Sequence, residues 1–236
     1  MGEIIGHVAA LNRFPVKSMA GEPLQAAEID WQGVEGDRQY GFYFRESRSR
    51  FPWLTGRDIS ELVLHSARFA DPGSPKTARV EIAAPDGWRG HVDDAELLDR
   101  LSAAVREPVS LMQLAIGAYD AMPVSVVTSA GHRLVEAAHG SPLDLRRFRT
   151  NIVIESGAVQ VEWAGKRIAF GEDGAELLVT DGIPRCAMVT IDPGTAERDS
   201  SVLRTIARKF GNVYGVYGAP ARKGPVRVGD VVRVVG

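Results

Sequence analysis

The sequence predicts a β-rich α+β fold that combines barrel-like sheets with few helices. Short segments rich in Val and Ile, bounded by Gly, Pro, Asp or Asn, occur along the whole chain. Only two segments have clear helical periodicity. The chain has 236 residues, of which 44% are apolar and 25% charged, a composition typical of a globular protein with one large domain or two small ones.

The candidate strands are apolar runs between turn-forming residues, and most of them are only five to seven residues long. They cover residues 3–14, 24–30, 38–44, 62–66, 78–84, 124–128, 151–155, 176–180, 186–191 and 231–235. Many short strands with few helices favour barrels or sandwiches over a doubly wound sheet.

The two predicted helices cover residues 93–107 and 200–211. The first has acidic residues at its start and Pro108 after its end. The second begins with Ser200 as its predicted N-cap and ends at Gly211. Its predicted buried stripe consists of Leu203, Ile206, Ala207 and Phe210. A new series of strands begins after 116–123, so the predicted domains are 1–115 and 116–236.

The charge and hydropathy of the chain exclude several classes of partner. The net charge of −2 gives no overall basic field for nucleic acid or a membrane surface. No stretch approaches the ~20 apolar residues that cross a bilayer. The N-terminal residues lack the pattern of a signal peptide, and the single cysteine fits a reducing compartment. We therefore expect a cytoplasmic protein without nucleic-acid or membrane partners.

Standard catalytic motifs are absent from the sequence. It has no P-loop, no dinucleotide fingerprint, no H-E-x-x-H and no G-x-S-x-G. What remains is a group of polar residues at predicted strand ends, rich in Lys and Arg and suited to binding an anion through charged, bidentate hydrogen bonds. The group comprises Lys17, Ser18, Arg38, Arg149, Asn151, Arg185 and Cys186.

Several of these residues lie in motifs that resemble a known family. The motifs are RFPVKSMAGE (13–22), GDRQYGFYF (36–44), LTGRDISELVLHS (54–66), YDAMPVSVVTS (119–129), RFRTNIVIE (147–155), PRCAMVTIDPGT (184–195) and GVYGAPARKGPVRVGDVVRVV (215–235). Together they resemble the MOSC-domain family, in the branch of the mitochondrial amidoxime-reducing component and bacterial N-hydroxylaminopurine-reducing proteins. The resemblance covers nearly the whole chain. It implies an N-terminal β-barrel-like domain followed by a C-terminal MOSC β-barrel.

The resemblance also implies a molybdenum–molybdopterin cofactor, independent of pyridoxal phosphate, with the thiolate of Cys186 as the protein ligand to the metal. It implies that Asp120 lies close to the metal and can relay a proton. The residues that it assigns to cofactor binding are Lys17, Ser18, Arg38, Arg57, Arg149, Asn151, Arg185 and Tyr217.

The activity implied by the resemblance is reduction of N-hydroxylated or N-oxide small molecules. One cysteine cannot hold an all-cysteine iron–sulfur cluster, so the expected electron donor is a separate protein of the ferredoxin, flavodoxin or cytochrome type. The chain departs from the family pattern at Met19, where Cys is common, and at Ala121 and Met122, which remove hydroxyl groups. We expect a more apolar substrate side as a result.

Two other functions stay open at this point. In one, Cys186 carries a persulfide and the protein is a sulfur-transfer module without a metal. In the other, the protein is a non-catalytic carrier of the cofactor. The cluster of Lys17, Ser18 and Arg149 favours cofactor binding over bare sulfur transfer, because a persulfide needs no anion site.

Overall fold

The structure, a computed structural model, describes residues 2–235. Within this range the strands are β1 (Glu3–Arg13), β2 (Glu22–Leu24), β3 (Ala26–Asp30), β4 (Gly33–Val34), β5 (Tyr40–Phe44), β6 (Ser66–Phe69), β7 (Val80–Ala83), β8 (Arg89–His91), β9 (Val109–Gln113), β10 (Val124–Thr128), β11 (Ile152–Glu155), β12 (Arg167–Phe170), β13 (Glu176–Pro184), β14 (Val213–Arg222), β15 (Gly224–Arg227) and β16 (Val231–Val235). The α-helices are α1 (Ala95–Val105), α2 (Ser129–His139) and α3 (Ser200–Phe210). Short 3-10 helices cover Ser60–Leu64, Leu145–Phe148, Gln160–Trp163 and Ala187–Thr190. The predicted β-rich class with few helices is confirmed.

A closed barrel of seven strands forms the larger part of the molecule. Its strands follow the order β11, β10, β14, β13, β12, β16 and β1, and pairing of β1 with β11 closes the ring. All neighbours in the ring are antiparallel except β10 and β11, which are parallel. Because the ring is closed, its strands leave no unpaired edge.

The strands β10 and β11 are buried on both faces, which explains their continuous Val and Ile runs. Val126 and Ile154 point into the barrel core. Val127 and Val153 point outward, under α2 and α3, and pack in a separate cluster with Val202 of α3. These two helices therefore shield one side of the barrel from water.

A second core lies beside the barrel. It packs β5, β9, the three-stranded sheet of β6, β7 and β8, and the apolar face of α1. Phe42, Leu54, Ile82, Leu97 and Leu101 are each no more than 3% exposed in this core. Met19, at the position where the family commonly has Cys, is fully buried here as well.

The predicted domain boundary between residues 115 and 116 falls between β9 and β10. Strands on both sides of this boundary pair with one another: β1 joins β11 and β16, and β3 joins β15. The boundary itself stays a prediction. None of the helices within residues 2–235 is long and apolar enough to cross a membrane.

Four local predictions were wrong. Residues 62–66 lie mostly in the 3-10 helix Ser60–Leu64, and residues 186–191 contain the 3-10 helix Ala187–Thr190 instead of a strand. Short apolar runs of this length fit either structure, because periodicity alone cannot separate them. The N-cap of α3 is Asp199, whose carboxylate accepts from Ser201 N, and not Ser200. Ala207 is exposed, while Val202 takes a buried position on that helix.

Candidate functional site

A cleft of about 390 Å³ lies where the barrel meets the second core. All ten residues that the sequence singled out line it: Lys17, Ser18, Arg38, Arg57, Asp120, Arg149, Asn151, Arg185, Cys186 and Tyr217. They come from separate stretches of the chain, from the loop after β1 to strand β14. The fold therefore brings together positive side chains that are up to 168 residues apart in sequence, from Lys17 to Arg185.

One wall of the cleft is an ion pair between Lys17 and Asp120. Lys17 is only 7% exposed, and its Nζ donates to the backbone oxygen of Ala118 at 2.8 Å and to Asp120 Oδ1 at 2.7 Å. Burial lowers the pKa of Lys17, against the opposing effect of Asp120. Burial pushes the pKa of Asp120 upward, but the charges of Lys17, Arg38 and Arg57 outweigh it and hold that pKa below its usual range. Asp120 is therefore an anion at neutral pH.

Three residues of the cleft have a left-handed backbone although none is glycine. The φ angles are 69° at Ser18, 52° at Arg38 and 50° at Arg149. This conformation is uncommon for residues with a Cβ, and strain of this kind concentrates at functional sites. In Arg149 it follows from the chain leaving the 3-10 helix Leu145–Phe148, for which Arg149 is the C-cap.

Arg38 and Arg149 are linked by a hydrogen bond and share an aromatic neighbour. Arg38 Nη2 donates to the backbone oxygen of Arg149 at 3.0 Å, while its Nη1 pairs with the buried carboxylate of Asp37. Arg149 Nη1 donates to the backbone oxygen of Met19. Both guanidinium groups lie over the ring of Phe14, at 5.0 Å and 4.4 Å from its centre. Phe14 thus orients both cations, which sequence reasoning did not predict.

Asn151 fixes the strands around this network. It is 1% exposed, and its Oδ1 accepts from the backbone nitrogen of Ser125 at 3.1 Å and from Ser125 Oγ at 2.8 Å. Its Nδ2 donates to the backbone oxygen of Asn12 at 3.3 Å. The side chain therefore ties β10 and β11 to β1. Its Oδ1 also lies 3.5 Å from Arg38 Nη1.

Three arginines that line the cleft each have a buried guanidinium nitrogen without a hydrogen-bond acceptor within the described residues: Arg147 Nε, Arg149 Nη2 and Arg185 Nη2. Arg185 uses its other nitrogens on the backbone oxygens of Tyr214, at 2.7 Å, and Phe148, at 3.0 Å. Burial lowers the pKa of Arg149 to about 9 and that of Arg185 to about 10. An unpaired buried donor is costly, and a charged one more so. The donor set therefore suits an anionic ligand with oxygen acceptors.

Cys186 follows Arg185 directly in the chain and lines the same cleft. Its backbone is extended, it precedes the 3-10 helix Ala187–Thr190, and it is exposed. Tyr217 of β14 also faces the cleft, and burial raises its pKa, so the phenol is protonated at neutral pH. A protein thiol and a protonated phenol are thus available to a molecule in the cleft.

Part of the cleft lining is apolar. Phe51, Ala121, Met122, Ile183 and Met188 contribute to it, and the expectation that Ala121 and Met122 make the substrate side more apolar stays a prediction. Met188 packs so closely on Gly56 that a Cβ at Gly56 would lie 3.0 Å from the Met188 sulfur. The glycine therefore allows the turn that carries Arg57 to approach the segment after Cys186.

Sequence reasoning missed several contributors to the cleft. Thr55 is 3% exposed, and its hydroxyl accepts from the Arg57 backbone nitrogen at 3.2 Å, which holds the turn. Arg147 donates to the backbone oxygen of Thr190 at 3.1 Å and pairs with Asp192 at 2.6 Å. Asp192 is the aspartate of the Asp-Pro pair in PRCAMVTIDPGT, so the motif offered a sequence clue to the ion pair with Arg147. Groups of three or more potential metal-ligating side chains do not occur within residues 2–235.

Comparisons with known proteins agree with this architecture. Molybdenum cofactor sulfurases of Caenorhabditis briggsae and Caenorhabditis elegans are each 36% identical to this chain over 76 residues. That match covers 31% of this chain and 10% of each sulfurase, so the chain spans about a tenth of the length of these curated relatives.

A solved structure extends the likeness over the full fold. The YUAD protein from Bacillus subtilis matches with a TM-score of 0.52 and 14% sequence identity, covering 97% of this chain and 94% of the other. At that identity the likeness shows the fold alone. The model of the MOSC domain matches residues 113–233, just over half of the chain. The resemblance to the MOSC-domain family is therefore confirmed, and the chain belongs to the MOSC domain family.

Proposed function

We propose that the protein is a molybdenum-cofactor enzyme that reduces N-hydroxylated or N-oxide compounds with electrons from a separate redox protein. The observation that carries the proposal is the meeting of one exposed thiol with a set of buried cations in a single cleft. Cys186, Arg149 and Arg185 all line it, and both arginines keep a buried nitrogen without an acceptor within the described residues. Names of relatives that contain "molybdenum cofactor" support the cofactor class.

The residues of the cleft fit such a cofactor on chemical grounds. Its phosphate and pterin oxygens are acceptors for Arg149, Arg185 and Lys17, which would hold them by charged hydrogen bonds. The thiolate of Cys186 is the soft anionic ligand that molybdenum accepts. When bound, the cofactor would supply the two-electron redox chemistry, while the protein supplies ligation and placement.

Asp120 is the group that we assign to proton movement. Its carboxylate is ionised at neutral pH, accepts from Lys17 at 2.7 Å and remains 62% exposed, so it can exchange protons with water and with a substrate in the cleft. Reduction of a hydroxylamine consumes two electrons and two protons, breaks the N–O bond and releases an amine and water. Water would supply these protons, and Asp120 would relay them one at a time, each taken up and passed on at a carboxylate oxygen.

Sulfur transfer is the second candidate, because the named relatives are sulfurases. It would need only an exposed thiol that can carry a persulfide, which Cys186 provides. The buried, unsatisfied nitrogens of Arg149 and Arg185 favour a protein that binds the cofactor over bare sulfur transfer, because a persulfide makes no demand on a multiply charged donor set. A carrier role without catalysis would not need Asp120 beside the cations.

The test is the variant Cys186→Ser. We expect the variant to fold, to lose most of its molybdenum, measured by mass spectrometry of the metal, and to lose reduction of amidoximes, hydroxylamines and N-oxides driven by a reduced dye. Met188→Leu, two residues away in the same lining, is the matched control and should keep metal and activity.

Full metal content and activity in Cys186→Ser would overturn the proposal. Loaded wild-type protein that reduces no member of the substrate panel, but passes sulfur from Cys186 to an acceptor, would favour the second candidate.

A further inference from the structure

A hairpin that contributes Phe51 to the cleft lining carries three arginines in the residues just before Phe51. Strand β5 and residues 52–54 are held together by hydrogen bonds from Phe44 N to the Pro52 oxygen at 3.0 Å and from Leu54 N to the Phe42 oxygen at 2.9 Å. We call the connecting residues 45–51 the arginine tip. Ser47 and Ser49 hydroxyls accept from backbone nitrogens two residues further on, at 3.2 Å and 3.1 Å, so the tip has a defined conformation.

The arginine tip carries more positive than negative charge, and all its residues are exposed. It contains Arg45, Arg48 and Arg50 against the single carboxylate of Glu46. Arg45 donates to Ser110, whereas the side chains of Arg48 and Arg50 have no hydrogen bond or ion pair in the part of the chain that the structure describes. On a chain with a net charge of −2, this is a local concentration of free cations.

Phe51 connects the arginine tip to the cleft. It lines the cleft together with Cys186 and is 41% exposed. Its ring centre lies 4.9 Å from Arg57 Cζ and 5.4 Å from Lys17 Nζ. Arg50 is its chain neighbour, and the Cα atom of Arg48 lies within about 11 Å of that of Phe51, the reach of three extended residues. The free cations therefore lie one and three residues along the chain from a side chain that lines the cleft.

We propose that the arginine tip, with Phe51 and Arg57, is the docking surface for an acidic electron-donor protein. This inference rests on the proposed function, which requires a donor to deliver electrons close to the cleft. Arginine and aromatic residues are the types enriched at protein interfaces. Unpaired cations in the residues just before Phe51 would steer a partner whose redox centre is ringed by Asp and Glu. Flavodoxins and plant-type ferredoxins are electron donors with such an acidic surface around the redox centre.

The test combines direct binding with turnover. Binding of oxidised flavodoxin and of oxidised plant-type ferredoxin to the cofactor-loaded protein is measured by titration calorimetry at low and at high salt. The charge reversal Arg48→Glu/Arg50→Glu is compared with Arg89→Glu/Arg208→Glu, which changes the net charge equally at two exposed positions outside the cleft lining. Substrate reduction is then followed with each protein donor and with a reduced dye.

We expect at least one donor to bind the wild type at low salt and to dissociate at high salt. The arginine-tip variant should bind it at least tenfold more weakly and slow donor-driven turnover to the same extent, with dye-driven turnover and the control variant unchanged. Equal weakening by both variants, or no binding of either donor to the wild type, would overturn the inference. The calorimetric measurement of donor binding does not depend on substrate reduction. A wild type that binds the donor but reduces no substrate with the dye would therefore count against the proposed function alone.

Discussion

Arg149 combines two unfavourable features in one residue: a left-handed backbone and a buried nitrogen with no acceptor within residues 2–235. Each feature is destabilising by itself. Their coincidence in a cleft lined by Lys17, Arg38 and Arg185 supports the role proposed for Arg149 in binding an anionic ligand.

Replacing Arg149 should therefore weaken anion binding more than folding. We expect Arg149→Lys to bind the cofactor about 5–150-fold more weakly, which corresponds to the ~1–3 kcal/mol of a lost hydrogen bond to a charged group. Cofactor retained after gel filtration measures the effect. Arg146→Lys, an exposed arginine paired with Asp144, is the control. Equal retention in the two variants would contradict the assignment.

Asp120 gives a prediction about pH. Its pKa lies below the usual value of 3.8, so the folded state binds its proton less tightly than the unfolded state. Its contribution to stability is complete above about pH 4 and is lost as the pH falls through the lowered pKa. Because the carboxylate is 62% exposed, we expect less than about 1 kcal/mol.

Acid unfolding followed by circular dichroism between about pH 5 and pH 2 checks this expectation. Asp120→Asn should unfold with a weaker pH dependence than the wild type in that range. Asp173→Asn, an exposed carboxylate without a recorded partner among residues 2–235, should behave as the wild type. Identical acid transitions for Asp120→Asn and the wild type would refute the prediction.

The candidate site residues with ionisable side chains could be predicted from the sequence, whereas the residues that orient those side chains could not. Lys17, Arg149 and Cys186 stand in motifs that identify them. Phe14, whose ring lies under two guanidinium groups, looks in the sequence like any apolar residue before a proline. Its role depends on the meeting of residues 38 and 149, a long-range contact that local patterns do not encode.

At the scale of elements, the sequence predicted strands with two buried faces better than junctions between elements. The segment 124–128 is continuous Val, Ser and Thr, and it forms β10 with the predicted bounds. The helix α2, which follows without a break, was missed. Thr128 is both the last residue of β10 and the N-cap of α2, so no turn residue separates the two elements.

Thr128 is consequently a sensitive position. Its hydroxyl accepts from Gly131 N at 3.0 Å and donates to Gln160 Oε1 at 2.7 Å, and the residue is fully buried. We expect Thr128→Ala to lower the free energy of unfolding by about 1–3 kcal/mol, because it removes a helix cap and a buried hydrogen bond. Urea unfolding measures this loss. Thr77→Ala, at an exposed threonine, should change it by less than about 0.5 kcal/mol.

The 3-10 helix Ala187–Thr190 shows why the element after Cys186 was assigned to a strand. Val189, Thr190 and Ile191 are all buried, and a short apolar run of this kind fits a buried strand as well as a helical turn. The backbone instead turns, with Val189 N donating to the Cys186 oxygen at 3.2 Å. Because of this turn, Cys186 is exposed and directly precedes the helix. In a continuous strand it would instead be a residue of the sheet.

At the scale of the whole molecule, the cleft is the place where two separate cores meet. Residues 17–57 supply one side and residues 119–217 the other. The side chain of Arg198 also bridges the two sides, because its Nη2 donates to the backbone oxygens of Gly56, at 2.8 Å, and Arg57, at 2.9 Å. A ligand in the cleft is therefore expected to stabilise both cores together.

This expectation is testable by calorimetry. At a cofactor concentration of one hundred times its dissociation constant, linkage gives about 2.7 kcal/mol of added stability. For a chain of this size that corresponds to a rise of roughly 5–10 °C in Tm. Loaded and unloaded protein should each unfold in one transition, with the loaded form higher. An unchanged Tm, or a shift confined to one of two transitions, would contradict coupling through the cleft.

The strand β1 has a further consequence for how the protein is made. It lies between β11 and β16 in the closed ring, with Leu11 opposite Ile152 and Glu3 opposite Val234. A ribosome adds about 5–20 residues per second, so β1 emerges roughly 10–45 s before its last partner. Until β11 emerges, one edge of β1 is open, and the other is covered only at residues 11–13, where β2 pairs with it. Open strand edges are prone to association with other nascent chains. Yield in the cell should accordingly depend on how well chaperones cover β1 until β11 and β16 have been made.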